Sequence, residues 1–258
     1  MKRKSDMFAM TIRRALKVLR WTVAVLSLCA MVGVFLLPAV AGYAGWLTRI
    51  QLVPAIMAGS VACLVVLVVS VLLFGRLYCS VVCPLGIAQD VVRACVAWML
   101  PKRAAKPLSR GVRAVRLAVL VLFALGAVFG LTGLIAPYGI FGRFLTVGVR
   151  RVGEPSAVVI AWSVGLFAFV MAMTFVRARW WCNRICPVGT LLGLVSRFAL
   201  FHVRVDDAKC VKCGLCAKRC DKGALAVRDD RAIAVDPSLC VACGDCVGTC
   251  GKEALKWR

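Results

Sequence analysis

Histidine occurs once in this 258-residue chain, at His202. It lies outside every long apolar stretch, so no pair of histidines can hold a haem b inside a bilayer. There is no C-x-x-C-H run, which excludes c-type haem attachment as well. A lone histidine in this position reads as an ordinary interfacial residue. Acidic residues are scarce, 11 Asp and Glu against 34 Lys and Arg. No charge of either sign falls in Trp21 to Thr48, Ile50 to Gly75, Leu117 to Gly142 or Pro155 to Val176. That excludes a membrane-embedded relay of carboxylates. Nothing resembles a nucleotide-binding loop or a hydrolytic triad. Chemistry therefore falls to cofactors that the protein orients.

What the chain has in abundance is apolar surface, 62% hydrophobic residues against 17% charged, outside the norms of soluble domains. Each of the four uncharged stretches is long enough to cross a ~30 Å hydrocarbon core as a helix, so the chain reads as a multi-pass membrane protein. The net charge of +23 is not a nucleic-acid signal, because of where it lies. Seven Lys or Arg precede the first stretch and eight lie between the second and third, against Arg49 alone and then Arg143, Arg150 and Arg151 in the other two connections. Positive loops stay in the cytoplasm. Both termini and the central loop, including Lys106, are therefore expected on the cytoplasmic side of the inner (cytoplasmic) membrane. Tyr43, Trp46 and Tyr138 fit one interfacial belt, and Trp21, Tyr78, Trp180 and Trp181 the other. The basic start followed by Ala39-Val40-Ala41 also resembles a cleaved secretory signal, but the run from Trp21 to Leu37 is long for one.

The last fifty residues carry the most specific pattern. Cys210, Cys213, Cys216 and Cys220 form C-x2-C-x2-C-x3-C, and Cys240, Cys243, Cys246 and Cys250 repeat it. This is the spacing of two-cluster bacterial ferredoxins, in which the fourth cysteine of each run ligates the other cluster. One [4Fe-4S] cluster is expected on Cys210, Cys213, Cys216 and Cys250, and a second on Cys240, Cys243, Cys246 and Cys220. Zinc sites rarely use eight cysteines in this order, and a cytoplasmic tail disfavours disulfides. The proline usual after the fourth cysteine is replaced by Asp221 and Gly251. Lys and Arg crowd the first run while Asp245 stands in the second, so the first cluster is expected to be the more oxidising.

The membrane part repeats too: "RLYCSVVCPLG" from Arg76 aligns with "RWWCNRICPVG" from Arg179. Each follows two apolar stretches and precedes an amphipathic segment, a parallel duplication that brings both cysteine pairs to the same face. A C-x3-C pair on a helix sets both sulfurs on one side, and Pro84 and Pro187 limit the preceding helices. Cys79, Cys83, Cys182 and Cys186 could thus form one four-thiolate site. A further iron–sulfur or metal site, a copper or thiol–disulfide site, and plain packing of small apolar side chains remain the three readings. Cys29, Cys63 and Cys95 lack partners at any motif spacing and read as packing residues.

The two C-P motifs at span ends together with the double-cubane tail resemble the NapH-type membrane ferredoxins, with NosR-type and CcoG-type proteins as more distant kin. The lack of a flavin-binding domain before the spans and of an immunoglobulin-like extension after the tail favours the NapH-like branch. The resemblance implies a quinol dehydrogenase subunit that draws on the membrane quinone pool and serves a redox partner, a ferredoxin-like or reductase subunit. The alternative is a copper reductase or maturation factor for a membrane oxidase. The expected architecture is an all-α membrane domain of four transmembrane helices in parallel duplication, with a small α+β ferredoxin domain. Its parts are a basic N-terminus (1–20), the membrane domain (21–201) and the cytoplasmic tail (202–258).

Overall fold

The computed structural model describes residues 2–97, 99, 108–129, 132, 135–149 and 156–257. The centre of the basic loop with Lys106, and Arg150 and Arg151, lie outside the described residues. Helix α1 (Lys2–Leu36) runs straight from the basic N-terminus into the first apolar stretch. It stops at Leu37, whose extended backbone (φ −118°, ψ 112°) is what a following proline imposes. The stretch to Thr48 is therefore not one span. Short helices at Pro38–Ala44, Trp46–Arg49 and Leu52–Met57 turn the chain back along α1. This carries Gln51 into the interior, where it is 1% exposed.

Helix α2 (Val61–Phe74) has 14 residues, about 21 Å at 1.5 Å per residue. Helices α3 (Pro84–Val96), α4 (Arg110–Val128), α5 (Ala157–Val176) and α6 (Pro187–Val195) follow. Among the described residues, three segments are long and apolar enough to cross a membrane: Ala15–Leu36, Arg110–Val128 and Ala157–Val176. The apolar side chains of α1, α4 and α5 mostly point outward, with only 11%, 6% and 17% of these windows buried. Water would not tolerate such a surface, and a bilayer would. Four spanning helices were expected; α2 falls short of the ~20 residues a span needs.

The interior between the two halves is filled by Val71 of α2, Val170 of α5, Leu85 of α3, Val188 and Leu192 of α6, and the four C-x3-C cysteines. Tyr78 and Trp181, expected at an interfacial belt, lie in this core at 7% and 5% exposure. They hold equivalent places in the repeat, each directly before the first cysteine of its pair. Tyr43 and Trp46 are exposed, as a belt requires. Cys63 is half-buried, but Cys29 and Cys95 are exposed and do not pack in a core, Cys29 lying among the outward side chains of α1 with Val25 and Leu26.

The tail is α+β. Strand β1 (Val203–Val205) pairs antiparallel with β4 (Leu255–Trp257), Val203 facing Trp257. Strand β2 (Leu225–Val227) pairs with β3 (Ile233–Val235), Leu225 facing Val235. Val203, Leu225, Ile233, Leu239, Val247 and Leu255 close a second core around the cysteine runs. His202 bonds on both ring nitrogens, to the Ala199 carbonyl at 2.8 Å and with Arg204 Nε at 3.0 Å.

Candidate functional site

The C-x3-C-P turns do not form continuous helices. Cys79 lies in a single turn, Tyr78–Val81, and Cys83 caps the next helix, with Pro84 in its first turn. Cys182 and Cys186 repeat this at Trp180–Arg184 and α6. Proline has no N–H to continue the preceding helix, but its fixed φ suits the first position of a new one. The amides of Val82 and Cys83 both close onto the Tyr78 carbonyl at 3.0 Å; Ile185 and Cys186 close onto that of Trp181 at 2.9 and 3.0 Å. Each new helix therefore starts at a sulfur. The Gly189 amide donates to Cys186 Sγ at 3.3 Å, whereas the Cys83 side chain takes no such cap bond. Helix N-termini carry partial positive charge and favour anionic sulfur.

The glycine of C-P-x-G has a steric reason. A Cβ at Gly86 would meet the Cys79 carbonyl oxygen at 2.3 Å, and one at Gly189 the Cys182 carbonyl oxygen at 2.3 Å. Only glycine lets each helix lie this close to its own turn.

All four cysteines are buried free thiols in one packed core. Burial pushes the Cys182 thiol up to about 11 against the pull of Arg179. Cys83 is raised by burial and then by Cys79 and Cys182, and Cys186 by burial, then by Cys182, Cys83 and Cys79. The duplicated halves thus bring the two pairs together in one core.

The arginines that open the two motifs are swapped between halves. Arg76 donates to Asn183 Oδ1 at 2.8 Å and to the Cys182 carbonyl at 3.2 Å, both in the second half. Arg179 reaches into the first half and grips Asp90 through Nε at 3.0 Å and Nη2 at 2.6 Å. Burial alone would raise the Asp90 carboxyl, but Arg179 and then Lys222 of the tail hold it well below the usual carboxylate range. Lys222 pairs with Asp90 directly.

The tail sits on this core. Arg76 Nη1 donates to the Ser238 carbonyl at 3.0 Å, Ser80 Oγ to that of Val241 at 3.3 Å, and Asn183 Nδ2 to that of Lys222 at 2.7 Å. Arg93 Nη2 stands 3.5 Å from Asp221, and Lys17 of α1 bonds Asp245 at 2.6 Å. That last pair offsets the acidic charge read in the second cysteine run.

Within the tail the crossed sets come together. Cys216 feels Cys210, Cys213 and Cys250, while Cys246 feels Cys220, Cys243 and Cys240. Both runs carry left-handed residues at matching places, Lys212 and Gly214 (φ 54° and 71°) and Ala242 and Gly244 (φ 55° and 73°). Lys212 and Ala242 bear roughly 1–2 kcal/mol each for that conformation. Alternating backbone of this kind turns successive N–H groups toward one point, a nest for an anion. Cys210, Cys213, Cys216 and Cys250 all line one cavity of about 320 Å³. Among the described residues no three Cys, His, Asp or Glu side chains converge tightly enough for a single metal ion. Four thiols around one cavity have the number that a cubane takes, one thiolate to each iron.

Sequence reasoning missed Gln89 and Asp90, read Lys222 only as part of the basic crowd at the first cysteine run, and assigned no role to Gly86, Gly189, Arg76 or Arg179. A signal existed for Asp90, the sole acidic residue between Asp6 and Glu154.

A family model described as a 4Fe-4S binding domain matches residues 56–106 and 158–205. These segments contain Cys79, Cys83, Cys182 and Cys186 and end before Cys210. The methylamine utilization ferredoxin-type protein MauN of Paracoccus denitrificans is 34% identical over 69% of this chain and 57% of its own length. Ferredoxin-type proteins NapH of Haemophilus influenzae and Escherichia coli are 28% and 30% identical, each over 56% of this chain and 47% of their own length. The chain thus spans about half the length of these relatives. No solved structure matches it. With its duplicated cysteine turns and cysteine-rich tail, the chain is similar to the NapH- and MauN-type ferredoxin-type proteins, and its two cysteine-turn segments match a 4Fe-4S binding domain.

Proposed function

We propose that the chain takes electrons from a lipid quinol and passes them through iron–sulfur groups to a partner protein. Two [4Fe-4S] clusters would sit on the crossed tail sets. The buried thiols Cys79, Cys83, Cys182 and Cys186 would hold a further one at the membrane face. The observation that carries this reading is the stacking of the four-thiol core directly beneath the second tail run: Arg76 bridges from the Cys182 carbonyl to Ser238, two residues before Cys240. Iron–sulfur groups supply one-electron steps, whereas a quinol gives up two electrons and two protons as it becomes a quinone. The protons pass to water.

An apolar cavity of about 390 Å³ supports the quinol part. It runs along α2, lined by Cys63, Val66, Leu67 and Ser70, with Tyr78 and Val82 opposite. The Tyr78 hydroxyl donates to Gln51 Oε1 at 2.5 Å and accepts from the Leu52 amide at 3.2 Å, and its ring backs onto the cysteine core. Tyr78 thus separates a lipid-level cavity from the buried thiols by one side chain. In this reading α2 and the folded-back segment before it together complete the fourth crossing. The tail, both termini and the central loop face the cytoplasm.

The test is anaerobic purification with iron and sulfide analysis, and spectra before and after a menaquinol or ubiquinol analogue. Reduction of the iron–sulfur signals by quinol supports the reading. Stoichiometric Cu(I) on the four buried thiols, without quinol reduction in native membranes, would transfer the chain to copper delivery. Reporter fusions after Arg258 and near Lys106 should both read cytoplasmic.

A further inference from the structure

Arg76 is 0% exposed, and among the described residues no carboxylate forms an ion pair with it. Its partners are all neutral oxygens, of Asn183, Ser238 and Cys182. Removing a guanidinium from water is costly unless an opposite charge answers it. The nearby charges deepen the imbalance. Arg179 and Lys222 share the carboxylate of Asp90, so these three groups and Arg76 together carry two more positive charges than negative, and Arg116, buried beside them, adds further positive charge. A cubane held by four thiolates carries roughly two net negative charges.

Hydrogen bonding points the same way. The buried side-chain atoms without a partner among the described residues are all nitrogens, and four belong to this core: Arg76 Nε, Gln89 Nε2, Arg179 Nη1 and Trp181 Nε1. Each such group, left unmet, carries its full desolvation cost. All four are donors, and all flank the cysteines. Trp181 precedes Cys182, and Arg179 Nη1 stands 3.5 Å from where a Cβ on Gly86 would lie. The Gln89 carboxamide stands 3.7 Å from Cys182 Sγ, its oxygen toward the thiol. An iron-bound thiolate has no proton to give, and the amide turned over would present Nε2 to it instead. A core rich in donors and positive charge calls for an acceptor-rich anion.

We infer that Arg76 is the counter-charge of an anionic iron–sulfur group on Cys79, Cys83, Cys182 and Cys186, and that its bond to Ser238 ties that group to the Cys240 set. The inference rests on the electron-transfer reading above. Arg76 sets the reduction potential of the buried group, because its positive charge favours the more negative, reduced state. Gln89, Trp181 and Arg179 add N–H donors to the same sulfurs.

The experiment compares the full chain, purified anaerobically, with Arg76→Met, Arg76→Lys and the double variant Cys79→Ser/Cys182→Ser, by iron content and redox titration followed by EPR. In the unaltered chain one signal should depend on Cys79 and Cys182 while the tail signals do not. Arg76→Met should shift that signal's reduction equilibrium at least tenfold toward the oxidised form, about 59 mV for a one-electron couple, with a smaller shift in the Cys240 set. Arg76→Lys should recover most of it. If Arg76→Met instead loses the buried iron with the tail signals intact, recovery by Arg76→Lys supports the same conclusion. An unmoved potential in Arg76→Met, or equal loss in Met and Lys, overturns the counter-charge role. If the cysteine double variant keeps every signal and all its iron, the buried group itself is refuted, and Arg76 has nothing to balance.

Discussion

Arg179 crosses from the second half of the repeat to hold Asp90 of the first, Nη2 to Oδ2 at 2.6 Å, with both side chains closed to solvent. Lys222 of the tail completes the triad from the other side. One carboxylate therefore fastens both membrane halves and the tail together. Its removal leaves two cations facing each other.

Asp90→Ala should cost about 3–5 kcal/mol, the range for a buried charge stripped of its partner. Thermal unfolding in detergent should show it as a lower midpoint. Asp229→Ala, on an exposed turn away from the core, should change little.

Acidification should probe the same group. Its carboxyl is held below the ordinary ~3.9, so its contribution is complete above that value and is lost as pH falls toward its own lowered range. The stability difference between the unaltered chain and Asp90→Asn should be constant from neutral pH down to about 5 and shrink below about 4. A difference that grew on acidification would contradict the assignment.

Gly86→Ala and Gly189→Ala should each force open a cysteine turn, since the new Cβ meets a carbonyl oxygen at 2.3 Å. Expected is loss of the iron that depends on Cys79 and Cys182, with the tail signals retained. Gly165→Ala on α5 meets nothing within 4 Å and should be neutral or stabilising by about 1 kcal/mol.

Cys250→Ser should damage the cluster expected on Cys210, Cys213 and Cys216 and spare the one on Cys240, Cys243 and Cys246. The cavity that Cys250 shares with the first set motivates this. EPR of the two tail signals decides it, and loss confined to the second set would reverse the ligand assignment.

Ser70→Phe should fill the cavity beside Tyr78. The expected result is a roughly tenfold rise in KM for a quinol analogue, equivalent to about 1.4 kcal/mol of binding. Reduction by dithionite, which needs no cavity, should proceed at the unaltered rate.

The local features were legible in the chain itself. Spacings of two or three residues between cysteines, the proline after each pair and the uncharged runs are short-range patterns, fixed by the geometry of one turn or one helix. They sufficed for the iron–sulfur character, the membrane setting and the α+β tail. Where a helix stops was harder: Pro38 ends α1 at Leu37 and turns an expected straight span into a folded-back one that buries Gln51. Which residues face one another across the repeat was decided only by tertiary packing. Arg76 and Cys182 lie 106 positions apart, and no local rule couples them. Tyr78 and Trp181 read as interfacial aromatics until the halves closed over them. Burial is also what turns Arg76, Arg179 and Asp90 from ordinary charges at helix ends into a balance that must close, because only away from water does an unmatched charge cost enough to demand a partner.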